Sequence, residues 1–101
     1  MKKIRSHIFV EGKVQGVSYR AATKRIALKS NVVGWIKNLP DGRVEAVFEG
    51  DEDDVQDVIA WCRKGPDRSG VNGVVIYDEP FVGELEEFSI LLHDETIDEC
   101  A

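Results

Sequence analysis

The chain has 101 residues, of which 43% are hydrophobic and 32% charged, and 13 Lys and Arg against 19 Asp and Glu leave a formal net charge of −6. That length is expected to form one domain over 1–101, large enough to bury a core without metals or cross-links. The acidic balance argues against a nucleic-acid surface, which needs a basic stripe, and no segment approaches the ~20 apolar residues of a membrane span. A phosphate ligand stays open, because distant exposed charges are screened beyond ~8 Å and the local field decides.

Along the chain, MKKIRSHIFVEG carries basic residues, but Arg5, Ser6, His7 and Glu11 break any apolar run after them. No secretory signal is therefore expected, and the expected compartment is the cytoplasm. Ile4, Ser6, Ile8 and Val10 alternate with Arg5, His7, Phe9 and Glu11, the period of a strand. Next comes Gly12 to Arg20, GKVQGVSYR. Two glycines close the strand, a short loop follows, and an arginine stands where a helix should begin. A loop entering a helix offers unpaired N–H groups and the positive end of the dipole, so it favours an anion. Arg20 adds a permanent charge and a planar fork suited to phosphate oxygens.

A helix is predicted from Ser18 or Tyr19 to Ser30, with Tyr19, Ala22, Ile26 and Lys29 on one side and Ala27 and Leu28 widening the apolar stripe. Val32 to Asn38 and Arg43 to Glu49 read as strands joined by the turn Leu39-Pro40-Asp41-Gly42. In the second of these, Val44, Ala46 and Phe48 should be buried and Glu45, Val47 and Glu49 more exposed. Asp51 is expected to cap a second helix, in which Glu52, Asp53 and Asp54 complement the dipole. That acidic run reads as capping rather than as a metal site. Val55, Val58, Ile59 and Cys62 have the spacing of its buried face, and Gly65-Pro66 ends it. Val71 to Tyr77 forms a near-continuous apolar strand, Phe88, Ile90 and Leu92 a short last one, and an acidic tail follows.

Strand, helix, strand, strand, helix, strand, with one short extra strand, predicts an α+β fold: the ferredoxin-like α/β sandwich, with an antiparallel sheet and two helices on one face. Cys62 is expected in the core and Cys100 in the tail, without a disulfide in a reducing compartment.

Much familiar phosphate chemistry is missing around the loop. A cysteine nucleophile six positions before Arg20 would be residue 14, which is Val14, and no Gly-Lys-Ser/Thr string follows four spacers. Ser18 has no His or carboxylate at an activating spacing and reads as a helix cap. His7 and His93 sit on strands and do not cluster, so no metal site is expected. Asn38 ends a strand before the hairpin. Such a residue commonly forms a turn, but its amide can also hold a water.

The two strings together resemble the acylphosphatase family. The family's Gly-x-Val-Gln-Gly-Val-x-x-Arg is complete as GKVQGVSYR. Its Gly-Trp-Val-x-Asn and Asp-Gly-x-Val-Glu appear as GWIKN and DGRVE, with Ile36 in place of valine. The resemblance spans nearly the whole chain. It implies hydrolysis of acyl phosphates to a carboxylate and inorganic phosphate. By this likeness the backbone N–H groups of Gln15, Gly16, Val17, Ser18, Tyr19 and Arg20 surround the phosphate, the Arg20 side chain holds it, and Asn38 orients the attacking water. No metal or organic cofactor is implied, and the partners are a small-molecule acyl phosphate and its phosphate product. Tyr19, at a variable position, is expected to pack inward. A monomer is expected, since no unexplained apolar stripe is evident. A non-catalytic phosphate-binding regulatory module is the alternative reading. An RNA-binding sheet of similar topology is opposed by the net charge.

Overall fold

The structure is a computed structural model, and it describes residues 2–91. The elements run β1 (Lys3–Lys13), α1 (Tyr19–Lys29), β2 (Val33–Asn38), β3 (Val44–Asp51), α2 (Glu52–Lys64), β4 (Gly70–Glu79) and β5 (Phe88–Ile90). Leu92, His93 and Cys100 lie outside the described residues. The sheet order is β4-β1-β3-β2-β5.

The period of two in β1 places Ser6, Ile8 and Val10 on the inner face. Both helices cover that face, where Ile8, Val10, Ile36, Val44, Ala46 and Phe48 meet Tyr19, Ala27, Val55, Val58 and Cys62 in one core. In α1 the buried arc is Tyr19, Ala22, Thr23 and Ala27. Leu28 does not join it and is 56% exposed, because it lies 100° of helical rotation beyond Ala27, past the width the sheet can cover.

Four strands pair antiparallel, but β5 joins β2 in parallel, so the sheet is mixed rather than wholly antiparallel. The cause is the connection 80–87. It leaves the edge strand β4, crosses to the opposite edge, and enters β5 in the direction of β2. On its way it is tied to the sheet face opposite the helices. The Val82 and Gly83 N–H groups donate to the Glu49 carboxylate at 3.0 and 3.3 Å, and Arg5 donates to the same carboxylate at 3.1 Å. Glu49 is thereby only 1% exposed, and Val47 is buried as well. The second face of β3, expected to be the open one, is covered.

One other expectation changes. Asp51 stands at the N-cap position of α2 without a side-chain capping bond. Its carboxylate meets the Lys3 ammonium at 2.8 Å, while the Glu52 N–H donates to the Lys2 carbonyl at 2.9 Å. The apolar strand expected over Val71 to Tyr77 lies within β4, which forms a sheet edge and leaves Val75, Ile76 and Tyr77 exposed. Among the described residues no helix is long and apolar enough to cross a membrane.

Candidate active site

The register of the sheet brings the loop and the asparagine to one end. Val10 pairs with Val44, and Val44 pairs with Asn38. Since β1 and β2 are each antiparallel to β3, they run the same way. The C-terminal end of β1 is therefore level with Asn38, two strand spacings or ~10 Å across. The loop that follows β1 has only that gap to span.

Local geometry turns β1 into this loop. The register against β4 shifts between Glu11 and Gly12, and a Cβ at Gly12 would lie 2.1 Å from the Gly70 carbonyl oxygen. Only glycine permits that approach at the bulge. Val14 is buried and anchors the loop to the core. Beyond it Gly16 and Ser18 both take left-handed backbone, at φ 76° and 62°. Left-handed residues interspersed in a loop turn N–H groups toward a common concavity. Among the described residues, the N–H groups of Gln15, Gly16, Val17, Ser18, Tyr19 and Arg20 donate to no protein acceptor. These are the groups that the family resemblance implies for the phosphate.

Ser18 is the residue where the sequence reading needs correction. It occupies the N-cap position of α1, but its side chain makes no capping bond. A capping serine takes extended backbone, and the left-handed conformation here aims the side chain elsewhere. Ser18 lines a cavity instead.

That cavity, of about 340 Å³, is lined by Val14, Gly16, Ser18, Tyr19, Arg20, Ala21, Asn38 and Ile90. Arg20 and Asn38 thus share one concave surface. Arg20 Nη1 makes a long contact of 3.4 Å to the Leu91 carbonyl. Among the described residues no carboxylate lies within ion-pair distance of the guanidinium. Its charge is available to an anion. The Asn38 Oδ1 atom is buried and accepts no hydrogen bond from the described residues. A buried acceptor without a donor is costly and uncommon, so this carboxamide oxygen is open to a donor that the described residues do not supply.

Tyr19 packs inward as expected. It is buried, it lines the cavity, and its hydroxyl donates to the Cys62 carbonyl at 2.6 Å. The Gln15 side chain, for which the sequence suggested no task, donates from Nε2 to the carbonyls of Leu39 at 2.8 Å and Arg43 at 2.9 Å. Ile90 and Leu91 were not legible as site residues. They arrive through the parallel β5, which no local pattern announces.

No group of three His, Cys, Asp or Glu side chains among the described residues is arranged to hold a metal ion. His7, distant from the loop along β1, lies between two carboxylates, with Nδ1 2.6 Å from Glu79 and Nε2 2.6 Å from Glu45.

A family model described as acylphosphatase matches residues 6–90. This chain belongs to the acylphosphatase family. It is 50% identical over 91 residues to the acylphosphatase of Syntrophus aciditrophicus (strain SB), covering 90% of this chain and 93% of that one. Among solved structures, the acylphosphatase from Bacillus subtilis superposes with a TM-score of 0.84 at 33% identity, covering 87% of this chain and 98% of that one. The acylphosphatase from Coxiella burnetii gives a TM-score of 0.83 at 31% identity, covering 88% and 93%. The fold is therefore the ferredoxin-like α+β fold of the acylphosphatases, and the chain is a hydrolase of that family.

Proposed function

We propose that the chain hydrolyses acyl phosphates in the Arg20–Asn38 cavity, with the loop 15–20 holding the phosphoryl group and Asn38 aiming the water. The observation that carries this division of labour is one cavity lined by both Arg20, whose guanidinium has no ion-pair partner among the described residues, and Asn38, whose buried Oδ1 accepts no hydrogen bond from them. The free N–H groups of Gln15 to Arg20 supply hydrogen bonds to the phosphoryl oxygens, and Arg20 supplies charge. A water donating to Asn38 Oδ1 has its oxygen lone pairs directed away from that bond and toward phosphorus.

In the reaction the water oxygen forms a bond to phosphorus while the bond from phosphorus to the acyl oxygen breaks. The electron pair leaves with the carboxylate, and the water proton passes to a phosphate oxygen. A carboxylate is a good leaving group, so no strong general acid is required. Positioning and electrostatic stabilisation carry most of the catalysis in phosphoryl transfer. Nothing in this scheme calls for a metal or for a second copy of the chain.

The test is hydrolysis of a simple aryl acyl phosphate in the presence of a chelator, alongside titration with inorganic phosphate. Arg20→Ala should weaken phosphate binding as well as turnover, on the order of 10- to 100-fold for the loss of charge-assisted bonds. Asn38→Ala should lower kcat and leave phosphate affinity nearly unchanged. Phosphate binding by folded protein without any turnover would identify an anion-binding module instead.

A further inference from the structure

We infer that the Gln15 side chain is a positioning residue that locks the phosphate loop and Asn38 into one rigid unit; the inference rests on the water-orienting reading of Asn38. A primary amide carries two N–H groups on one planar nitrogen. Here Nε2 spends both, on the carbonyls of Leu39 at 2.8 Å and Arg43 at 2.9 Å. These carbonyls belong to the neck of the hairpin. The Leu39 N–H donates to the Arg43 carbonyl at 2.8 Å, and the Gly42 N–H donates to the Leu39 carbonyl at 3.1 Å. Gln15 therefore inserts a donor pair where the turn closes, one residue beyond Asn38.

The backbone of Gln15 begins the cradle and its side chain holds the hairpin, so the cradle and the carboxamide cannot drift apart without breaking two hydrogen bonds. The distance that matters for attack, from the held water to the held phosphorus, is fixed by this brace. A displacement near 1 Å in such an arrangement can cost ~10²-fold in rate. Few side chains can substitute. Met has the length but no donor, Glu has only acceptors to set against two carbonyl oxygens, and Asn is one methylene short.

The experiment compares Gln15→Met, Asn38→Ala and the double variant by kcat for an aryl acyl phosphate and by Kd for inorganic phosphate. Gln15→Met should lower kcat at least tenfold and change the phosphate Kd less than twofold, because the loop N–H groups remain. In the Asn38→Ala background the same change should lower kcat less than twofold further, since no aimed water is left to misplace. Equal losses in kcat and phosphate affinity would reduce Gln15 to a support of the loop alone and overturn the proposal, as would full additivity with Asn38→Ala. If Asn38→Ala loses turnover while Gln15→Met keeps it, the brace is wrong and the water-orienting reading survives. If Asn38→Ala keeps normal turnover, that reading itself fails. Should Gln15→Met not fold, Gln15→Asn, which retains the amide at shorter reach, must show the same split between kcat and Kd.

Discussion

Tyr19 terminates a helix to which it does not belong. Its hydroxyl donates to the Cys62 carbonyl in the last turn of α2 at 2.6 Å. In a continuing helix that carbonyl would receive the N–H of residue 66, but residue 66 is proline and has none. The phenol supplies the missing donor from the first residue of α1. Burial raises its pKa strongly, so it remains a protonated donor. Tyr19→Phe should preserve the packing and orphan the carbonyl, at a cost of about 1–3 kcal/mol. The check is a lower urea midpoint with an unchanged m-value.

Ser18 holds a left-handed conformation that its own hydroxyl does not stabilise through a cap. Ser18→Val places a β-branched side chain at positive φ, and it should destabilise the fold by about 1–3 kcal/mol. Ser18→Gly removes the steric objection and should keep phosphate affinity. Thermal unfolding and a phosphate titration on both variants distinguish conformation from hydroxyl chemistry. If Val and Gly behave alike, the backbone at this position is not constrained.

Hydrogen bonds from Arg5, and then from His7, hold the Glu79 carboxyl below the usual carboxylate range. The Lys3 ammonium does the same for Asp51. A folded-state value below the unfolded one gives stability that is present above ~4 and is lost as pH falls through the folded value. Unfolding free energy should thus be nearly level from pH 7 to 5 with respect to these groups and should drop toward pH 3. Glu79→Gln should flatten part of that drop. Urea titrations at pH 7, 5 and 3.5 read it directly, and an unchanged slope in the variant would remove Glu79 from the account.

Burial pushes the Cys62 thiol up to about 12. With Cys100→Ser as background, the folded protein should not react with an aromatic disulfide reagent at pH 8, and one thiol should titrate after unfolding in guanidinium. Prompt reaction in the native state would show that the core opens at this point.

What could be read from the residues follows how local each determinant is. The period of two in β1, the Val55–Val58–Ile59–Cys62 face and the Pro-Asp-Gly turn are decided within a few positions, and the structure follows them. Arg20 and Asn38 converge because two antiparallel pairings make β1 and β2 run alike, a relation the strand order already contained. The failures are long-range. Asp51 does not cap α2 because Lys3, its cross-strand partner on β1, competes for it from 48 positions away in the chain. The outer face of β3 is closed by a connection that arrives more than thirty residues later, at 33 and 34 positions from Glu49. Gln15 and Ile90 acquire their surroundings only when the hairpin and β5 are in place.

The route of residues 80–87 also bears on the order of assembly. Its anchor, Glu49, and its destination, β2, must both be present before β5 can dock, and β5 follows every other strand in chain order. One wall of the cavity is therefore the final piece to arrive. A chain still emerging from synthesis can hold a nearly complete sheet and yet have an unfinished pocket. Competence to capture substrate thus becomes a reporter of completed folding rather than of strand pairing.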